Sequence, residues 1–102
     1  MVVHITENKK RFLNLLLLAD EQESMIDRYL ERGEMFVLYK NEIPLAACVI
    51  TDEGDNVCEI KNIAVLPQYQ RQGYGRRLID FLFERYKKSY RVMLVGTGDT
   101  FL

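Results

Sequence analysis

Gln70-Arg71-Gln72-Gly73-Tyr74-Gly75 joins an apolar, strand-like run, Ile60 to Leu66, to a strongly amphipathic helical run, Tyr74 to Lys88. Pro67 lies between the apolar run and the hexamer. Glycines at a strand-to-helix turn let backbone approach a ligand closely. The first N–H groups of the helix have no partner within it, and its dipole places positive charge there. Arg71, Arg76 and Arg77 add three cations around the same turn. Together these features bind phosphate. The dinucleotide fingerprint needs a glycine three residues after Gly75, where Leu78 stands. The nucleotide P-loop needs Gly-Lys-Ser/Thr, which is absent. What remains is an arginine-flanked pyrophosphate turn with no metal ligand beside it. Taken alone, the hexamer reads equally well as a tight turn before a solvated basic helix face.

The longer stretch NIAVLPQYQRQGYGRRLIDFL, Asn62 to Leu82, resembles motif A of the GNAT N-acetyltransferases. Gln70, Gly73 and Gly75 match the Q/R-x-x-G-x-G/A pattern. The apolar strand, Pro67, Tyr69 and the Leu78-Ile79 pair match as well. The rest of the chain, Met1 to Leu94, carries no distinctive motif but has a compatible order of elements. The resemblance implies acetyl-coenzyme A as cosubstrate. It places the pyrophosphate against Arg71, Gln72, Gly73, Tyr74, Gly75 and Arg76. It places the pantetheine arm and acetyl carbonyl along Ile63, Ala64 and Val65. It implies a GNAT-like mixed sheet flanked by helices, and a function in acetyl transfer to an amine of unidentified identity. Family members usually continue for about another helix and two strands. The chain is therefore expected to be a C-terminally truncated GNAT domain spanning residues 1–102, without the helix that carries the family's usual tyrosine acid.

Composition bounds the alternatives. At 102 residues the chain suits one small domain. Its 48% hydrophobic and 28% charged content is that of a globular protein. A net charge of −1 gives no overall field for nucleic acid or an anionic membrane. Leu15 to Ala19 is too short an apolar run to span a bilayer, and no secretory signal precedes the first helical segment. A cytoplasmic location is expected. Cys48 and Cys58 fall on segments expected to pair as a hairpin, as near neighbours across it, and read as buried thiols rather than a disulfide. Two Cys and one His are too few for a tetrahedral zinc site, and His4 alone is a poor basis for a triad.

The periodicity predicts the order βααβββαβ, an α/β sandwich with a mixed sheet. Met1 to Ile5 reads as an edge strand and Glu7 to Leu18 as a helix. Asp20, with Glu23 three residues on, predicts the start of a second helix. That helix would bury Met25, Ile26, Tyr29 and Leu30 and stop at Gly33. Strands follow at Met35 to Lys40, Ile43 to Thr51 and Val57 to Leu66. The helix after the glycine turn is expected to bury Tyr74, Leu78, Ile79, Leu82, Phe83 and Tyr86. Arg91 to Val95 reads as a last strand, followed by the turn Gly96-Thr97-Gly98-Asp99.

Acetyl transfer needs a neutral amine and an N–H donor for the developing oxyanion. A lysine-like amine is only roughly one part in 10³ neutral at pH 7. The resemblance gives the donor role to the amide of Val65 or a neighbour, where the strand splays from the next one. It makes Glu59 the candidate base, since Glu59 stands six residues before Val65 and is expected on the same strand face. An exposed strand carboxylate is the plainer reading of Glu59. Asp99 is a further carboxylate in a glycine turn, and Tyr69 and Tyr74 read as packing residues. The alternative to an enzyme is a non-catalytic acyl-CoA-binding module, pairing as a homodimer through Arg91 to Val95 and the Phe101-Leu102 tail.

Overall fold

A computed structural model of the chain describes residues 1–95. The turn at Gly96-Thr97-Gly98-Asp99, the candidate carboxylate Asp99 and the Phe101-Leu102 tail lie outside the described residues. The strands are β1 (Val2–Ile5), β2 (Glu34–Lys40), β3 (Ile43–Gly54), β4 (Val57–Val65) and β5 (Val92–Val95). The helices are α1 (Leu13–Leu16), α2 (Glu23–Asp27) and α3 (Tyr74–Tyr86). The sheet runs β1-β2-β3-β4-β5 in space, with antiparallel pairing as far as β4 and parallel pairing of β4 with β5. This is the mixed sheet with flanking helices that the sequence predicts.

Two hairpins set the register. Asn41 and Glu42 connect β2 to β3 with φ of 51° and 66°, and Asp55 and Asn56 connect β3 to β4 with φ of 53° and 64°. Paired positive φ values give hairpin turns whose twist matches that of the strands. Met35 to Leu38 of β2 and Leu45 to Thr51 of β3 are buried throughout, as inner strands covered on both faces require. One face meets α3 through Phe36, Leu38, Cys48, Ile50 and Ile60. The other meets α1 and α2 through Met35, Val37, Ala47, Val49 and Ala64.

Along α3, Tyr74, Leu78, Ile79, Leu82 and Tyr86 are buried at helical spacing. Phe83, expected in that set, is 54% exposed. At about 100° per residue it lies about 140° round from Leu78, beyond the apolar stripe. Phe81, on the other flank, packs edge-on against Phe36 with centroids 5.2 Å apart.

The first two helices are much shorter than their apolar patterns predict. After Leu16 the chain tightens into i+3 turns, with Leu18 N–H to Leu15 O and Ala19 N–H to Leu16 O. Gln22, not Asp20, caps α2, and it does so without a side-chain bond. Asp20 Oδ2 instead accepts from the Tyr29 hydroxyl at 3.1 Å. Met25, expected in the core, is 41% exposed. Beyond α2 the carbonyls turn toward a buried lysine. Lys9 Nζ donates to Leu30 O at 3.0 Å, to Gly33 O at 2.7 Å and to Glu31 O at 3.4 Å. Lys9 thereby satisfies carbonyls that the end of a helical segment leaves unpaired. Gly33 follows because there is no room for anything larger: a Cβ would stand 2.7 Å from Val49 Cγ1 and 2.9 Å from Tyr29 O.

Cys48 and Cys58 both face α3, but Cys48 pairs with Ile63 and Cys58 with Asp52 across the hairpin. They are not cross-strand neighbours as expected, and both are free and buried. Burial pushes the Cys48 thiol up to about 12. Among the described residues, no group of three His, Cys, Asp or Glu side chains is placed to hold a metal, and no helix is long and apolar enough to cross a membrane.

Candidate active site

Strand β4 carries one extra residue opposite β3. Val49 pairs with Asn62 and Ile50 with Ile60, which leaves Lys61 in a bulge. The bulge inverts the side-chain alternation. Cys58 and Ile60 face α3, yet Asn62 and Ala64 face α1 and α2, while Ile63 and Val65 face α3. Glu59 therefore lies on the α2 side, opposite Val65. The expectation of a shared face is corrected: strict period-two counting fails where a residue is inserted. Glu59 pairs there with Lys61 at 3.0 Å.

Among the described residues, the outer edge of β4 is paired only in part. β5 pairs only with Val57 to Ile60. From Lys61 to Val65 no strand among the described residues takes that edge. Leu66 N–H donates to Leu45 O of β3 at 2.9 Å, so residues alternating with it, Val65 and Ile63, turn their backbone groups outward. The Val65 carbonyl confirms the direction, since Gln70 Nε2 donates to it at 3.0 Å. The amides of Ile63 and Val65 thus lie along an edge beside α3 that is open among the described residues.

Beyond β4 a single 3-10 turn, Pro67–Tyr69, leads into the glycine turn. Arg71 has φ of 64° and Gly73 φ of 87°. A non-glycine residue held in the left-handed region costs about 1 kcal/mol or more, and such strain collects at binding turns. Gly73 caps α3 without a side-chain bond, and Arg77 N–H makes the first intrahelical bond, to Gly73 O at 3.0 Å. The N–H groups of Tyr74, Gly75 and Arg76 therefore have no partner within the helix. No acidic side chain stands in that first turn. Arg76 pairs with Asp80 at 3.1 Å, but both are well exposed, so the pair holds the arginine only weakly.

Ile63, Val65, Tyr69, Gln70, Arg71, Gly73, Tyr74, Gly75, Arg76 and Ile79 enclose a cavity of about 370 Å³. Seven of the nine residues that the resemblance assigned to the cosubstrate meet there. Two do not line it. Ala64 is buried on the opposite face, and the Gln72 side chain turns back to bond Gln68 O at 3.2 Å. Tyr69, Gln70 and Ile79 line the cavity although they were not assigned to it. Tyr69 and Gln70 stand inside the quoted motif, which was the available signal. Ile79 gave none beyond helical phase. Tyr74 OH accepts from Lys40 Nζ at 3.1 Å, and its ring meets Tyr69 edge-on. At Gly75 an added Cβ would come no nearer than 3.8 Å to Val65 Cγ2, so the glycine leaves open room inside the cavity rather than relieving a clash.

The other side of β4 is built differently. Asn62 is fully buried, and its Nδ2 donates to Leu16 O and to the Tyr29 hydroxyl oxygen, both at 3.0 Å. A carbonyl can only accept, which fixes the amide orientation. Asn62 Oδ1 has no partner among the described residues. Burial, opposed by the Asn62 bond, pushes the Tyr29 hydroxyl up to about 12. Tyr29, Met25, Arg28, Arg32 and Lys61 line a second cavity of about 420 Å³ on this side.

An open strand edge feeding a glycine turn at the start of a helix is matched along nearly the whole chain by one family profile, acetyltransferase (GNAT), over residues 6–100. The chain belongs to the GNAT acetyltransferase family. The uncharacterized N-acetyltransferase YvbK of Bacillus subtilis is 33% identical over 95 residues, covering 92% of this chain and 61% of its own length. A GNAT acetyltransferase from Elizabethkingia anophelis, solved with acetyl-CoA bound, superimposes with a TM-score of 0.81 at 31% identity, over 87% of this chain and 58% of its own. A Bacillus subtilis acetyltransferase in complex with CoA gives a TM-score of 0.78 at 32% identity, over 85% and 57%. The chain thus spans about three fifths of the length of these GNAT relatives.

Proposed function

We propose that this chain forms the acetyl-CoA-binding part of an N-acetyltransferase that acetylates an amine. The observation that carries the proposal is the conjunction of an open β4 edge with the unpartnered amides of Tyr74, Gly75 and Arg76. A pyrophosphate suits those amides and Arg71, and the apolar wall of Ile63, Val65 and Ile79 suits a pantetheine arm. Relatives of the same fold solved with acetyl-CoA or CoA support the choice of cosubstrate.

In the transfer, the amine nitrogen attacks the thioester carbonyl and the C–S bond breaks. The products are an N-acetyl amine and free CoA, whose thiolate takes up a proton, and the proton lost by the amine leaves to a base or to water. An outward amide of β4, at Ile63 or Val65, is placed to meet the developing oxyanion. With the cosubstrate on the α3 side, the acceptor has the α2 side to approach from, and that is where the bulge turns Glu59. Glu59 is thus kept as the proposed base, for a different geometric reason from the one its spacing suggested. Glu59→Gln is expected to lower kcat without changing acetyl-CoA affinity, and a wild-type rate and pH profile would assign the proton to another group.

Calorimetry with acetyl-CoA tests the binding site. Arg71→Ala combined with Gly73→Val should abolish binding, the first by removing a cation and the second by forcing a β-branched residue to positive φ. Unchanged affinity in that variant would overturn the assignment. A second reading, a non-catalytic module that binds acyl-CoA and pairs with another copy through β5, draws on Val92 and Leu94, which are 46% and 47% exposed. Sedimentation as a dimer together with no turnover would favour it.

A further inference from the structure

The cavity beside Glu59 has an unusual charge balance. Its cations are Arg28 and Arg32 from the turn after α2, and Lys61 from the β4 bulge. Two carboxylates reach them. Glu53, at the end of β3, pairs with Arg32 at 3.2 Å, and Glu59 pairs with Lys61 at 3.0 Å. The Thr51 hydroxyl, with help from Arg32, holds the Glu53 carboxyl below its usual range, so the Arg32 charge is matched at neutral pH. Arg28 is left over. Its guanidinium has no carboxylate within ion-pairing distance among the described residues, and its nearest polar contact is Met25 Sδ at 3.7 Å. The other walls, the Met25 side chain and the Tyr29 ring, are largely apolar.

From this arrangement we infer that the acceptor is an amine that also carries a carboxylate, an amino acid, with Arg28 as the residue that selects it. The inference rests on the acetyl-transfer reading above and names the class of acceptor for that same site. A planar guanidinium binds a carboxylate through two parallel N–H donors, which gives direction as well as charge. The apolar part of the acceptor rests on Met25 and Tyr29. Lys61 stands two residues, about 7 Å along the strand, from the outward amide of Ile63. An amino acid whose carboxylate meets Arg28 extends its amine from this cavity along that interval, toward the outward amide of Ile63.

The test compares phenylalanine, methionine and glutamate, each against its own C-terminal amide, as acceptors in a thiol-release assay. Acetyl-CoA affinity is measured calorimetrically on the same samples. An amino-acid amide has a less basic amine, hence a larger neutral fraction near pH 7.5, so preference for the acid cannot come from protonation. The acids are expected to be preferred roughly tenfold or more in kcat/KM, mainly through KM. In Arg28→Gln the ratio of acid to amide should collapse toward one, and Arg28→Lys should keep part of it. Equal use of acid and amide by a wild-type protein that binds acetyl-CoA would overturn the acceptor class and leave the transferase reading standing. So would a ratio that survives Arg28→Gln, or acetylation of neither set. Absence of acetyl-CoA binding in the wild type would instead sink the transferase reading, and this inference with it.

Discussion

The two faces of strand β4 are organised on opposite principles. Toward α3, the site is made of backbone: outward amides on an open edge, a turn with two residues at positive φ, and a helix start with no acidic side chain. Its parts lie within a short stretch of sequence, Ile63 to Ile79. Toward α2, the site is made of side chains brought from far apart. Lys9 reaches carbonyls 21 to 24 residues away, and Asn62 reaches Leu16 and Tyr29 across 46 and 33 residues. On the proposed reading the first kind of site takes the cosubstrate and the second the acceptor, and side chains on the second can change without disturbing the backbone turn.

The comparison can be broken first at Gly75. If the cavity toward α3 is reserved for the cosubstrate, Gly75→Leu should fill it without disturbing the fold, since a Cβ there stays 3.8 Å from Val65 Cγ2. Acetyl-CoA affinity is expected to fall by roughly a hundredfold or more, the effect of displacing a ligand group and not of losing one contact. Calorimetry together with an unchanged circular dichroism spectrum would establish this; retained affinity would mean the cosubstrate does not use that space.

A smaller effect is expected on the other face. Lys9→Met removes the donor shared by three carbonyls while preserving the length of the side chain. Leaving buried acceptors unpaired costs roughly 1–3 kcal/mol. A urea-denaturation shift of about that size is expected, with acetyl-CoA affinity per folded molecule unchanged. Loss of acetyl-CoA affinity in Lys9→Met would show that the two faces are coupled rather than separate.

The sequence by itself determined the turn. Gln70, Gly73, Gly75 and the flanking arginines act through local backbone geometry, so their spacing along the chain is their arrangement in space. The order of elements was legible for the same reason, since strand and helix periods are written over a few residues each. Helix lengths before β2 were not. Leu15, Leu16, Ile26 and Leu30 form a helical pattern and are buried, but beyond Leu16 and beyond Asp27 the backbone tightens into i+3 turns that bury the same residues. The facing of Glu59 was decided only in the tertiary structure. The single inserted residue at Lys61 exists because β4 must pair with β3 on one register below it and another above it. One residue of slip reverses every side chain before it, and no count along β4 alone reveals a slip that is defined by its partner strand.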